Sequence, residues 1–197
     1  MRFATVRKTA LSVALLALVI VACPTAHAQT KAFKVSGDGF APIGLSVDGF
    51  DSPYNATGNA THVGKYASPN NEGVAKVLSF NKATGAGTFT GGFTFVAPNG
   101  DRLACTHGDI GNKAAKVGTF QVFPAAVPGK VYAVFDAEFN PLLAKCTGRY
   151  KDVVGGSFRM IATTEPFVPV FDDKGFSPQF KYSWKGDGTI EFAKGKN

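Results

Sequence analysis

Residues 88–110, TFTGGFTFVAPNGDRLACTHGDI, form two alternating arms around a turn signal. On the first arm Phe89, Gly91, Phe93, Phe95 and Ala97 share one parity, and Thr88, Thr90, Gly92, Thr94 and Val96 the other. That is the period of a strand with one face on a core. On the second arm Leu103, Cys105 and His107 fall together. A two-residue turn at Asn99-Gly100 would set Phe95 against Ala104 and send Leu103 and Cys105 to the wrong face. A three-residue loop, Pro98-Asn99-Gly100, instead pairs Phe95 with Leu103, Phe93 with Cys105 and Gly91 with His107. It also puts Pro98 where a fixed negative φ is wanted and Gly100 where φ must be positive. The parity and the turn chemistry predict an antiparallel hairpin.

Other strands follow from the same alternation. Residues 31–39, 61–66, 74–81, 118–123, 131–139 and 157–164 read as strands, as do 180–185 and 189–192, which form one strand or two with a bulge at Gly186-Asp187-Gly188. In 74–81, Val74, Leu78 and Phe80 share a face, although Lys76 falls on it too. Residues 40–58 read as irregular, punctuated by Pro42, Gly44, Gly49, Pro53 and Gly58, with the sequons at Asn55 and Asn59 taken as turn chemistry. Residues 140–156 read as a connection. Residues 165–179 read as a loop that Phe167, Phe171 and Phe176 fold back onto the body around the turn 172–175. All 23 glycines and all but one of the 18 phenylalanines lie after residue 28. The expected class is all-β: a single antiparallel β-barrel of about eight strands, or alternatively a β-sandwich, since either leaves few open edges.

The first 28 residues read as a signal peptide rather than structure. Arg2, Arg7 and Lys8 precede an apolar run at residues 10–21, and Ala26-His27-Ala28 supplies small residues before Gln29. This predicts a secreted or periplasmic protein whose single domain is residues 29–197. The alternative is a lipoprotein anchored through Cys23, because Ile20-Val21-Ala22-Cys23 resembles a lipobox. No apolar run reaches transmembrane length. Cleavage lowers the formal charge from +7 to +4, and the remaining Lys and Arg are scattered, which argues against a nucleic-acid partner.

Three segments together resemble a family of small secreted bacterial proteins: residues 58–66 (GNATHVGKY), residues 83–91 with 97–103 (ATGAGTFTG and APNGDRL), and Thr147-Gly148-Arg149-Tyr150 with Gly155-Gly156-Ser157-Phe158. The last pattern is also similar to that of the allene oxide cyclase and dirigent barrels. The resemblance implies an eight-stranded, antiparallel, hollow barrel. It carries over no catalytic residue.

Cys105 and Cys146 are the cysteines left after cleavage, and an even count in an exported chain predicts a disulfide between them, against the alternative of two buried thiols. His62 and His107, even with Asp109, lack metal-ligand spacing, so no metal and no cofactor is expected. Asp136 and Glu138 share what reads as a solvent face. The candidate ligand-binding set is Phe89, Gly91, Phe93, Phe95, His107 and Trp184, with His107 facing the gap at Gly91. Three functions are open: a carrier of a small hydrophobic molecule, a cyclase- or isomerase-like enzyme, or a structural envelope or matrix protein with a filled core. The first two need an interior cavity of ~300 Å³ or more.

Overall fold

The structure, a computed structural model, describes residues 28–42, 44, 51–67, 73–108, 117–170 and 179–194. The signal-peptide features, Cys23, Asp109, Phe171, the turn at 172–175 and Phe176 lie outside the described residues. Ten strands are formed: β1 Gln29–Ala41, β2 Ser52–Ala60, β3 Gly64–Ala67, β4 Gly73–Asn81, β5 Ala86–Val96, β6 Arg102–His107, β7 Gly118–Pro124, β8 Val131–Pro141, β9 Val153–Thr164 and β10 Phe180–Phe192. Two 3-10 turns, Leu143–Lys145 and Gly148–Asp152, join β8 to β9. Among the described residues no helix is long and apolar enough to cross a membrane.

All ten strands belong to one antiparallel sheet, in the order β1-β10-β9-β8-β6-β5-β3-β2-β4. Strand β7 sits off that path against β5 and β8, and β1–β2 and β4–β5 pair as well. This corrects the expected barrel of about eight strands, and equally the sandwich of two sheets. The sheet branches, because β6 and β7 both lie between the same two neighbours, so no single ring of strands passes through all ten. Strand length is the cause. The long β5 gives Ala86–Phe89 to β7 and Gly91–Val96 to β6, and no one short strand covers its side.

The apolar face of the sheet is its own core. Phe33 of β1 lies 4.6 Å from Phe158 of β9, one strand beyond β10, and 6.2 Å from Phe95 of β5, which is far along the sheet order.

The central hairpin has the expected register, with Phe95 opposite Leu103, Phe93 opposite Cys105 and Gly91 opposite His107. Its loop is closed by the Ala97 N–H on Asp101 O and the Gly100 N–H on Ala97 O, both at 2.9 Å, with Gly100 at φ +85°. Three other stretches differ from the sequence reading. Residues 52–60 are strand rather than irregular, so both sequon asparagines lie in β2. In β4, Ala75 and Val77 face inward while Leu78 is exposed, because Lys76 turns its parity outward and a bulge between Val77 and Ser79 resets the register. The strand expected at 61–66 is only Gly64–Ala67, with 61–63 a turn. Of the two readings of 180–192, the structure has the single strand, and Gly186-Asp187-Gly188 pairs through without interruption.

Inward glycines recur opposite large side chains. Gly37 faces Trp184, Gly39 faces Tyr182, Gly58 faces Tyr66, Gly73 faces Tyr54, Gly87 faces Phe120 and Gly118 faces Phe89 across neighbouring strands. At Gly39, Gly73, Gly87 and Gly118 the facing ring lies where a Cβ would go, while at Gly37 and Gly58 the Thr57 and Ser36 carbonyl oxygens come closest, with the Tyr66 hydroxyl beside them. At these positions a small residue faces a large one, which makes room for bulky rings in a tightly curled sheet. Replacing Gly87 by Val would drive a side chain into the Phe120 ring and toward Ser79 O. Overpacking of this kind costs about 1–3 kcal/mol. The expected outcome is a melting temperature several degrees lower for Gly87→Val than for the parent, measured by circular dichroism; an unchanged melt would refute the space-filling role of the ring.

Candidate functional site around His107

His107 ends β6 with 1% of its surface exposed. The hairpin register aims it inward, and its ring packs 4.8 Å from Phe139 and 5.3 Å from Phe89. Its Nε2 lies 3.0 Å from the Tyr54 hydroxyl, which also donates to Gly92 O at 3.1 Å. With that hydroxyl hydrogen on Gly92, the imidazole Nε2–H donates to the tyrosine oxygen. Nδ1 has no hydrogen-bond partner.

Tyr54 is the residue that sequence reasoning missed. It sits on β2, within the stretch that Pro53 and Gly58 made look irregular, yet Ser52, Tyr54, Ala56 and Ala60 alternate inward there. That period of two was the available signal. Tyr66 and Tyr182 were overlooked as hydrogen-bonding groups. Trp184 Nε1–H donates to the Tyr66 hydroxyl at 2.6 Å, Tyr66 donates to Ser36 O at 3.1 Å, and Tyr182 donates to Asn55 O at 2.8 Å.

The six expected ligand-binding residues do not line one chamber. Phe89, His107 and Trp184 border a void of about 70 Å³ together with Tyr54, Phe135 and Tyr182. Phe93 and Phe95 are packed among other rings, 4.8 Å from each other, with Phe93 4.7 Å and Phe95 6.1 Å from Trp184. Gly91 is not open space either, because a Cβ there would collide with Val74 O and come within 2.8 Å of His107 Cε1. A void of about 70 Å³ is far below the roughly 300 Å³ that small-ligand sites begin at. The expected ligand-binding interior is therefore overturned, and the cyclase-like reading loses the chamber that it required.

The interior is also electrically neutral. Burial pulls the His107 pKa from 6.5 down to about 3, with the Val74 carbonyl opposing weakly. Burial pushes the Tyr54 and Tyr182 hydroxyls well above their usual range. An imidazole of such low basicity is a poor proton acceptor near neutral pH. The carboxylates face outward: Asp136 is paired with the exposed Arg159, whose Nε donates to Oδ1 at 2.8 Å. His62, at φ +67°, lies at the surface with Nε2 3.1 Å from Ala32 O. Among the described residues no three His, Cys, Asp or Glu side chains gather as a metal site.

Cys105 and Cys146 are free, buried thiols, which corrects the expected disulfide. The Cys146 S–H is directed at Ala104 O and Leu142 O, both at 3.6 Å, rather than bonded to Cys105. Burial raises both thiol pKa values, so neither holds the thiolate that disulfide exchange needs.

No family model, no curated protein and no solved structure matches the chain. The resemblance to the allene oxide cyclase and dirigent barrels gains no support from these comparisons, and the sheet is not the hollow barrel that it implied.

Two outcomes follow from this geometry. Unfolded histidine takes up a proton below about pH 6.5, while His107 in the folded chain resists until about 3. The unfolded state thus binds more protons in that window, so His107 lowers stability as pH falls through it, by at most about 1.4 kcal/mol per pH unit. Urea titrations from pH 7 to 4 should show a steeper decline for the parent than for His107→Leu; parallel declines would contradict the buried neutral imidazole. Thiol labelling under non-reducing conditions should give two labels per chain after unfolding and almost none before, and a chain unlabelled after unfolding would restore the disulfide.

Proposed function

We propose that this is an exported β-sheet protein of structural character, which acts through its outer surface rather than through an interior site. The observation that carries this reading is the filled core. Rings stack over glycines throughout it, His107 is held by Tyr54, and the void beside them measures about 70 Å³. A protein that holds a small molecule inside needs room, and one that transforms it further needs a group whose protonation is poised near the working pH. Here both are replaced by packing. Export is supported by the basic, apolar and small-residue regions that stand in order before Gln29.

Native mass spectrometry of protein purified from its source tests both parts. The expected species is the empty chain beginning at Gln29. A retained small molecule would overturn the surface-acting reading. A full-length chain with residues 1–28 intact would overturn export, and a chain starting at a lipidated Cys23 would replace the soluble form by an anchored one.

A further inference from the structure

Strand β1 opens on the residue that export would expose. Gln29 stands directly after Ala26-His27-Ala28, and it is both the first residue of β1 and the partner of Phe192 at the end of β10. From Gln29 to Lys34 the strand pairs with β10 alone, and β2 joins it from Val35 onward. On its other side this half of β1 meets the turn after β2, where the Thr61 N–H donates to Lys34 O at 2.8 Å and His62 Nε2 lies 3.1 Å from Ala32 O. The stretch nonetheless carries Phe33, a core residue with 1% of its surface exposed.

The Gln29 side chain is unrestrained. It is exposed, and among the described residues no hydrogen bond holds its amide. The ring opposite it, Phe192, is engaged by others: Lys31 Nζ lies 4.9 Å over it, and the His62 ring meets it edge-on at 6.2 Å. A cut after Ala28 frees the Gln29 α-amine on the same residue as this unheld amide. Two groups so close react without a partner, because ring closure replaces a bimolecular encounter. The deprotonated α-nitrogen attacks Cδ. The N–Cδ bond forms, the Cδ–Nε2 bond breaks, and Nε2 leaves as ammonia with the proton that the α-nitrogen gives up.

We propose that Gln29 is a modification site, which closes to pyroglutamate once the leader is removed and shields the half-paired start of β1 from aminopeptidases. Such enzymes recognise a free α-amine, and the lactam has none. Without that cap, trimming from the exposed Gln29 and Thr30 would run toward Phe33 and open the core. The inference rests on the export reading above, since only a cut before Gln29 presents this amine.

The test is peptide mass spectrometry of the protein purified from its source. The terminal peptide should be lighter by one ammonia than an open Gln29 would give. Stepwise N-terminal degradation should yield nothing until a pyroglutamyl aminopeptidase is applied, and should then begin at Thr30. Gln29→Ala, carried by the same leader, should be read from its first residue without that treatment. It should melt with the parent, since the side chain is exposed. Challenged with a general aminopeptidase, the parent should keep its mass while Gln29→Ala loses residues on the order of tenfold faster. A chain that begins at Gln29 and keeps its free amine through prolonged incubation at neutral pH overturns the proposal and leaves export standing. Equal resistance of the parent and Gln29→Ala overturns the shielding. A chain that retains residues 1–28, or starts at a lipidated Cys23, overturns the modification and the soluble exported form together.

Discussion

Facing glycines and rings govern the interior of this sheet. A strongly curled sheet brings side chains from distant strands toward one centre, and there is not room for two large residues at each facing pair. Here the conflict is resolved pair by pair: Tyr66 lies over Gly58, Tyr182 over Gly39 and Trp184 beside Gly37. The hydroxyls and the indole N–H of those rings then reach Ser36 O, Asn55 O and Tyr66 itself, so their polar ends are satisfied without water. Packing and hydrogen bonding thus depend on the same small set of positions.

The His107 environment follows from that arrangement. Gly91 gives the imidazole its place, Val74 O closes the remaining gap, and the Tyr54 hydroxyl is the hydrogen-bond partner of Nε2. Nothing charged is left inside. What looked like free space opposite a titratable group is a contact between a ring and a backbone carbonyl.

The hairpin at 88–107 was legible in the sequence because parity and turn chemistry are local and agree. Phe95 with Leu103 and Gly100 at positive φ required no knowledge of any other strand. Strand β2 was hidden by Pro53 and Gly58, residues that usually punctuate loops. Pro53 instead pairs with Val74, and Gly58 makes way for Tyr66. The parity of β4 depended on a bulge at Leu78, which leaves no composition signal. Branching of the sheet and the size of the void were beyond reach for a different reason. Both depend on which distant segments become neighbours, and alternation says only which face a residue takes. The cysteine count suggested a bridge, but a count carries no information about where an S–H points.

The first strand of the domain has the last as its partner along its whole length, from Gln29 opposite Phe192 to Ala41 opposite Phe180. Everything between them must be synthesised before this pairing exists. Contacts of such long sequence separation are reached slowly, because the intervening chain must first be brought together. A nascent chain emerging from its N-terminus would therefore hold β1 with one side unsatisfied until β10 arrives. That delay leaves one edge of β1 open to other strands until the end of the sheet has been made.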